Sequence, residues 1–229
     1  MNDINKKNSN ELIPSFFDSL SEPSIDLTSE ILEIPIDQIT DNEIIKQLPL
    51  VGSIVKLSKL SLAIRDRFLL KKTLRFIVQV NQASDSQKFQ KHFKNLQSNK
   101  KIMEKELEHV LFVLDRLNNQ RKSEILANFY ISYIDKDIEF DWDDFCTFSE
   151  ILEIFSVYDY ETLDRLKSQP FNDNSMSINR LSLTRLNSLG LVTYFSGISV
   201  TTQTQNFIAK ITPVGELFLD LGFRNSVSV

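Results

Sequence analysis

Apolar residues recur at helical spacing through most of this chain and alternate like a strand only near its end. From Met103 onward, Leu107, Val110, Leu111, Leu114 and Leu117 keep the three-and-four beat of one helix face. Asn118-Asn119 closes that helix, and Ile125, Leu126, Phe129, Tyr130 and Tyr133 mark the next. Trp142, Phe145, Phe148, Leu152 and Phe155 mark a third, with Asp141 placed to cap it and Asp143 and Asp144 suited to its first turn. A shorter helix around Leu163 and Leu166 stops near Pro170, and the polar stretch 81–101 carries one around Phe89, Phe93 and Leu96. These segments predict a helical bundle or stacked hairpins.

Residues 50–80 stand apart. On a single helical wheel Leu50, Leu57, Ile64 and Phe68 form one stripe, and Val51, Val55, Leu62 and Leu69 form a second with Ile54 between them. Lys56, Lys59, Arg67 and Lys71 gather on the opposite side. A continuous helix over this stretch would span about 45 Å, with Gly52 a breakpoint in its first turn. Arg65 falls inside the apolar arc, and a buried guanidinium there needs a carboxylate partner.

The last fifty residues change period. Ile178, Leu181, Leu183, Leu186 and Leu189 predict a helix that Gly190 ends in the left-handed conformation. LVTYF and FIAKIT predict two strands joined across Gly197 and the TTQTQN stretch. Thr212 as N-cap and Pro213 as first helical residue open a closing helix with Val214, Leu217, Phe218 and Leu221, stopped by Gly222. The expected fold is mainly α: a helical bundle followed by a winged-helix-like helix–β-hairpin–helix unit. The expected domains are an acidic, partly disordered arm at 1–45, a helical domain at 46–169 and the winged-helix-like domain at 170–229.

The pattern Leu186-x-x-Leu189-Gly190-Leu191-Val192, an alternating hairpin, then Ile211-Thr212-x-x-Gly215-x-x-Phe218 resembles the C-terminal half of bacterial winged-helix domains. It also resembles the C-terminal region of the bacterial families called DUF4393 or Abi-alpha, over residues 177–222, about a fifth of the chain. The resemblance implies a bacterial protein with a role in abortive infection, a phage-defence behaviour. It also raises DNA binding. A reader helix needs side chains for phosphates and base edges, and here Asn179, Arg180, Thr184, Arg185 and Asn187 are on offer, with Arg180 and Arg185 the candidate DNA contacts. The TTQTQN hairpin has no Lys or Arg to meet a phosphate, so protein docking is the favoured use of the unit.

Charge sharpens this picture through its distribution. The net charge of −5 argues against coating nucleic acid. Residues 1–45 hold ten acidic residues against Lys6 and Lys7, whereas 46–80 hold eight basic residues against Asp66. The basic stretch therefore reads as a core helix with a solvated face, as a surface for an anionic membrane, or as a dock for the acidic arm. Ile13, Phe16, Phe17 and Leu20 have the spacing to anchor that arm.

Chemistry is sparse. The acidic turn Asp135, Asp137, Glu139, Asp141 fails as a calcium loop, because its sixth and twelfth positions are Phe140 and Cys146 rather than Gly and Glu. His92 and His109 sit in no metal-type spacing, and Cys146 reads as a core thiol. No P-loop, GxGxxG or GxSxG motif is present. The expectation is a protein that is not an enzyme, with no cofactor and no identified small-molecule substrate. A single cysteine fits a reducing compartment. The most apolar uncharged run, 47–55, is far below the ~20 residues of a membrane span. The expected location is cytoplasmic, with peripheral contact at the inner membrane, a protein partner favoured and DNA the weaker alternative.

Overall fold

The computed structural model describes residues 3–21, 33–35, 38, 41–57, 64–83, 87–136, 139–169, 171–172, 179–198 and 205–224. It is mainly helical with a small antiparallel sheet, and its contacts divide it into Met1–Asp141 and Trp142–Val229. The domain boundary expected between residues 169 and 170 lies inside the second unit. Residues 22–32 of the acidic arm, expected to be partly disordered, lie outside the described residues.

The first unit is built from α1 (Asp3–Ser21), α2 (Glu43–Lys46), α3 (Pro49–Leu57), α4 (Ile64–Gln82), α5 (Gln87–Ser98), α6 (Lys100–Arg116) and α7 (Arg121–Asp135). Ile13, Phe16, Phe17 and Leu20 of α1 are all buried, so the apolar face of the acidic arm does anchor it. Two serines fasten the same face to α3: Ser15 and Ser53 share a 2.6 Å hydroxyl contact, and the Leu50 amide donates to Ser19 Oγ at 3.3 Å. Phe76 of α4 lies between Phe16 and Tyr130, at 6.1 and 5.5 Å between ring centres. Across α4 and α7, Gln79 Nε2 donates to Asn128 Oδ1 at 2.9 Å and Arg75 pairs with Glu124. Of the stripes named on α5, α6 and α7, Phe89, Phe93, Leu96, Met103, Leu107, Val110, Leu114, Ile125, Leu126, Phe129 and Tyr130 are buried, whereas Leu111 and Tyr133 are half-buried.

The 50–80 stretch departs from its wheel. It comprises α3 and α4, with 58–63 outside the described residues, and Gly52 lies within α3 rather than breaking it. Ile64 and Phe68 are 74% and 44% exposed, so the expected stripe from Leu50 does not continue into the core. Helix α4 instead buries Leu70, Thr73, Leu74, Ile77 and Val80. One phase angle carried over thirty residues cannot anticipate this, because the buried face of α4 is set by its own packing against α7.

The second unit contains α8 (Trp142–Ile154), a 3-10 turn (Val157–Asp159), α9 (Tyr160–Ser168), β1 (Phe171–Asn172), α10 (Arg180–Ser188), β2 (Val192–Ile198), β3 (Gln205–Ile211) and α11 (Pro213–Gly222). The strands run antiparallel in the order β1-β3-β2, with Val192 opposite Ile211 and Phe171 opposite Ala209. Phe218 of α11 packs against Phe148 and Phe155, at 5.8 and 5.1 Å. Of the expected stripe on α10, Leu183 and Leu186 are buried, Leu181 faces solvent, and Ile178 lies outside the described residues.

The motif residues of this unit form one interlock. Gly190 takes φ of +73°, and beyond it the Leu191 amide donates back to the Leu186 carbonyl at 3.0 Å. The Gly190 amide donates to the Asn187 carbonyl at 3.0 Å, completing the two-bond helix stop. The Leu191 carbonyl accepts from the Thr212 amide at 3.0 Å, and the Thr212 hydroxyl donates to the Gly190 carbonyl at 2.7 Å. The same hydroxyl accepts from the Gly215 amide at 3.0 Å, capping α11. A Cβ at Gly215 would lie 2.1 Å from the Leu191 oxygen, so α11 approaches the start of β2 as closely as only glycine permits.

Candidate functional site

Of the basic surface expected on one helix, only the Arg67 and Lys71 side chains are among the described residues. The Lys56 side chain and all of Lys59 lie outside the described residues. Arg67 is half-buried, with its Nε in no hydrogen bond. Lys71 is half-buried too, and its Nζ donates to the Ile34 carbonyl at 3.0 Å, which ties it to the acidic arm. Burial, followed by the neighbouring Arg75, pushes the Lys71 ammonium below its ordinary pKa.

Arg65 is at the surface rather than in the core, with its side chain 77% exposed. It does hold a carboxylate: Nε donates to Asp115 Oδ1 at 3.2 Å, and the guanidinium fork also meets Oδ2. The buried cation of this helix is Lys72. Its Nζ donates to the carbonyls of Asp115 and Leu117 at 3.0 and 2.9 Å, capping the C-terminal end of α6. Burial pulls Lys72 below its ordinary pKa, and Asp115 opposes that shift. Lys72 follows Leu69 by three residues and precedes Phe76 by four, the one sequence signal that marks it.

The polar residues of α10 have internal work. Asn179 caps the helix, with Oδ1 accepting from the Leu181 amide at 3.0 Å. Thr184 Oγ1 donates to the Arg180 carbonyl at 3.0 Å, and Asn187 Oδ1 accepts from the Tyr194 amide at 3.1 Å. Arg185 forks onto the buried carboxylate of Asp159, with Nε to Oδ2 at 2.7 Å. Burial by itself would raise Asp159, but the hydrogen bonds from Arg185 and Ser182 hold its carboxyl below the ordinary aspartate range. Arg180 remains an exposed residue at the start of the helix.

The densest polar chemistry lies where no motif pointed. Glu106 of α6 is buried inside an apolar stripe. Its Oε1 is 2.7 Å from His92 Nε2 of α5 and accepts from the Tyr130 hydroxyl of α7 at 2.6 Å. Its Oε2 accepts from the Tyr133 hydroxyl at 3.3 Å. Burial first, then the Glu106 carboxylate, push the Tyr130 phenol well above its ordinary pKa, so it remains a donor. Both tyrosine rings also meet His92 edge-on, at 6.1 and 5.5 Å. Three helices are thereby clamped on one carboxylate.

Above this cluster opens a cleft of about 320 Å³. Lys88, Lys91, His92 and Asn95 of α5 line one side, and Asp135 and Lys136 at the end of α7 line the other. Lys136 is the C-cap of α7 and takes φ of +51°, the one positive value at a non-glycine residue among those described. Sequence reading finds His92 but not its partner. The available signal is Glu106 itself, a carboxylate between Met103 and Val110 on a face that should be apolar.

A second concavity, of about 430 Å³, lies between α1, α4 and α6. Leu12, Ile13, Leu69 and Leu111 line it, and Phe112 stands 58% exposed beside them. Asp66, Glu108 and the Arg65–Asp115 pair supply its charge. Among the described residues no group of three or more His, Cys, Asp or Glu side chains is placed to hold a metal ion. Among the same residues no helix is long and apolar enough to cross a membrane.

Comparison with protein-family models, with curated proteins and with solved structures finds no match to this chain.

Proposed function

We propose that this is a non-catalytic bacterial interaction protein, working in the cytoplasm in anti-phage defence by docking a protein partner. The groove between α1, α4 and α6 carries the reading. An apolar floor edged by charge has the anatomy of a recognition surface, and Phe112 is the kind of exposed aromatic that anchors one. Among the lining residues three carboxylates, Asp66, Glu108 and Asp115, stand against Arg65, and the Arg116 guanidinium lies 5.1 Å from the centre of the Phe112 ring. The complementary occupant is a basic amphipathic helix of the partner. The defence setting rests on the 186–218 residue pattern alone.

A photo-crosslinking residue placed at position 112 in cells should trap a discrete partner. The same residue at position 154, where Ile154 is exposed in the other unit, should not. Glu108→Lys should weaken the crosslink by opposing the basic helix. Equal crosslinking from both positions, or indifference to Glu108→Lys, overturns the reading.

The C-terminal helix–hairpin–helix is proposed to be winged-helix-like, supported by β1 on the outer edge of β3 and by α10 leading directly into the hairpin. Its alternative use, as a DNA reader in a transcriptional regulator, now leans on Arg180, because Arg185 is committed to Asp159. Arg180→Ala should then weaken duplex binding and flatten its salt dependence; unchanged affinity removes that alternative. Peripheral contact with an anionic membrane is supported by Ile64 and Phe68, exposed close to Arg65 and Arg67 in sequence. Failure of the protein to float with anionic vesicles removes it.

A further inference from the structure

We propose that the cleft between α5 and the end of α7 is a binding site for a small phosphate-bearing molecule. Three ammonium groups, from Lys88, Lys91 and Lys136, line it against one carboxylate, Asp135. Asn95 adds an amide able to donate, and about 320 Å³ suits a small ligand. His92 lines the cleft with its ring fixed from behind: Nε2 is engaged by Glu106, which is itself held by Tyr130 and Tyr133. Any polar contact from His92 to a ligand is therefore made through Nδ1. A site built this way sets cationic walls beside a hydrogen-bonded floor, an arrangement that suits a compact multivalent anion.

The backbone of Lys136 is an independent observation on the same cleft. The position ends α7 in the left-handed conformation, where glycine or asparagine is the low-energy choice. The chain places there a lysine that lines the cleft. Strain held at a cleft residue points to a task for its side chain.

The probes are inorganic phosphate and glycerol 3-phosphate, titrated into the full-length ¹⁵N-labelled protein, with sodium chloride at matched ionic strength as control. Saturable amide shifts are expected at Lys91, His92, Asn95 and Lys136, and sodium chloride should not reproduce them. The double substitution Lys91→Glu and Lys136→Glu, at two exposed positions, should weaken binding by about tenfold or more. Lys136→Gly separates the binding role from a structural one. It should raise Tm by relieving the backbone and still weaken phosphate binding. A raised Tm with unchanged binding would count against the proposal.

Vesicles containing phosphatidic acid distinguish the source of the phosphate. Binding of the soluble probes assigns the site to a free phosphate-bearing metabolite. Binding confined to these vesicles, and lost in the double variant, assigns it to a lipid headgroup. No saturable shift with either soluble probe, together with vesicle binding that ignores Lys91 and Lys136, overturns the proposal.

Discussion

The two units of this chain differ in how much of their hydrogen bonding a short motif announces. In the second unit the helix caps lie inside short motifs, and Thr212 reaches from one of them back across the hairpin to Gly190 and Leu191. Asn179 caps its own helix, Gly190 closes it, and Thr212 with Gly215 locks the next helix onto the preceding turn. In the first unit the decisive bonds join residues far apart. His92 reaches Glu106, Tyr130 and Tyr133 reach the same carboxylate, and Lys72 reaches the end of α6. Local locks make an element certain, whereas long-range clamps decide which elements meet. That is why the chemistry of the first unit is found only in three dimensions.

The sharpest way to break the local lock is at Gly215. A side chain there meets the Leu191 backbone oxygen, which is also the acceptor for the Thr212 amide. Gly215→Val should destabilise the second unit by about 3 kcal/mol, at the upper end of overpacking effects. Hydrogen exchange should show it as faster opening of the β2–β3 amides. Unchanged protection there would mean that α11 does not depend on this close approach.

The long-range clamp breaks at Glu106. Glu106→Ala leaves the buried Tyr130 hydroxyl and the His92 ring without their acceptor. The expected loss is about 2–4 kcal/mol, read from chemical denaturation, because a buried hydroxyl and a half-buried imidazole lose their partner together. Glu106→Gln, which can still accept, should lose less. Equal losses for the two substitutions would show that charge rather than acceptance holds the three helices.

A third test sits between these cases, since Asp159 and Arg185 form a charge pair within the second unit that no motif announces. Arg185→Ala should lower Tm by about 5 °C, because it leaves the Asp159 carboxylate buried without its fork. The pH dependence follows from the direction of the Asp159 shift. Its carboxyl is held below the ordinary aspartate range, so its ionised form stabilises the fold at neutral pH. That contribution is lost only as pH falls through the depressed value. In Arg185→Ala burial is no longer opposed by the guanidinium, so acid unfolding should begin at a higher pH than in the parent. Coincident acid-unfolding curves would show that the pair carries no stability.

This division also explains how far the sequence could be read. Gly190, Thr212 and Pro213 announce caps whose geometry is set by their immediate neighbours, and those boundaries hold. The stripes on α5, α6 and α7 hold apart from the half-buried Leu111 and Tyr133, because each keeps its own phase within one helix. The 50–80 wheel fails for the same reason in reverse, since it extrapolates one phase across two helices. It places Arg65 in the core and leaves Lys72 unmarked, whereas the structure exposes the first and buries the second. Glu106 is visible in the sequence as a charge in the wrong place. Its partners are fourteen, twenty-four and twenty-seven residues away, a separation that periodicity does not register.

The smallest expected effect tests Lys136, the described non-glycine residue with a positive φ. Lys136 carries φ of +51° at the end of α7, and its amide still donates to the Ser132 carbonyl at 3.2 Å. A lysine in this conformation crowds its Cβ against the following carbonyl, whereas glycine does not. Glycine loses more backbone freedom on folding, which offsets part of that relief. Lys136→Gly should therefore stabilise by about 0.5–1 kcal/mol, far less than either clamp contributes. The corresponding substitution at Gly190 supplies the mirror test. Gly190→Lys would impose the same crowding at φ of +73° on the turn that feeds the interlock, so destabilisation is expected there. A gain at 136 alongside a loss at 190 means that the second unit uses its left-handed position for folding alone. It would leave the lysine of the first unit as a residue retained against stability, which is what a binding role for the cleft requires. If Lys136→Gly were neutral or destabilising, the left-handed lysine would be an ordinary helix end and the contrast between the units would narrow to Glu106.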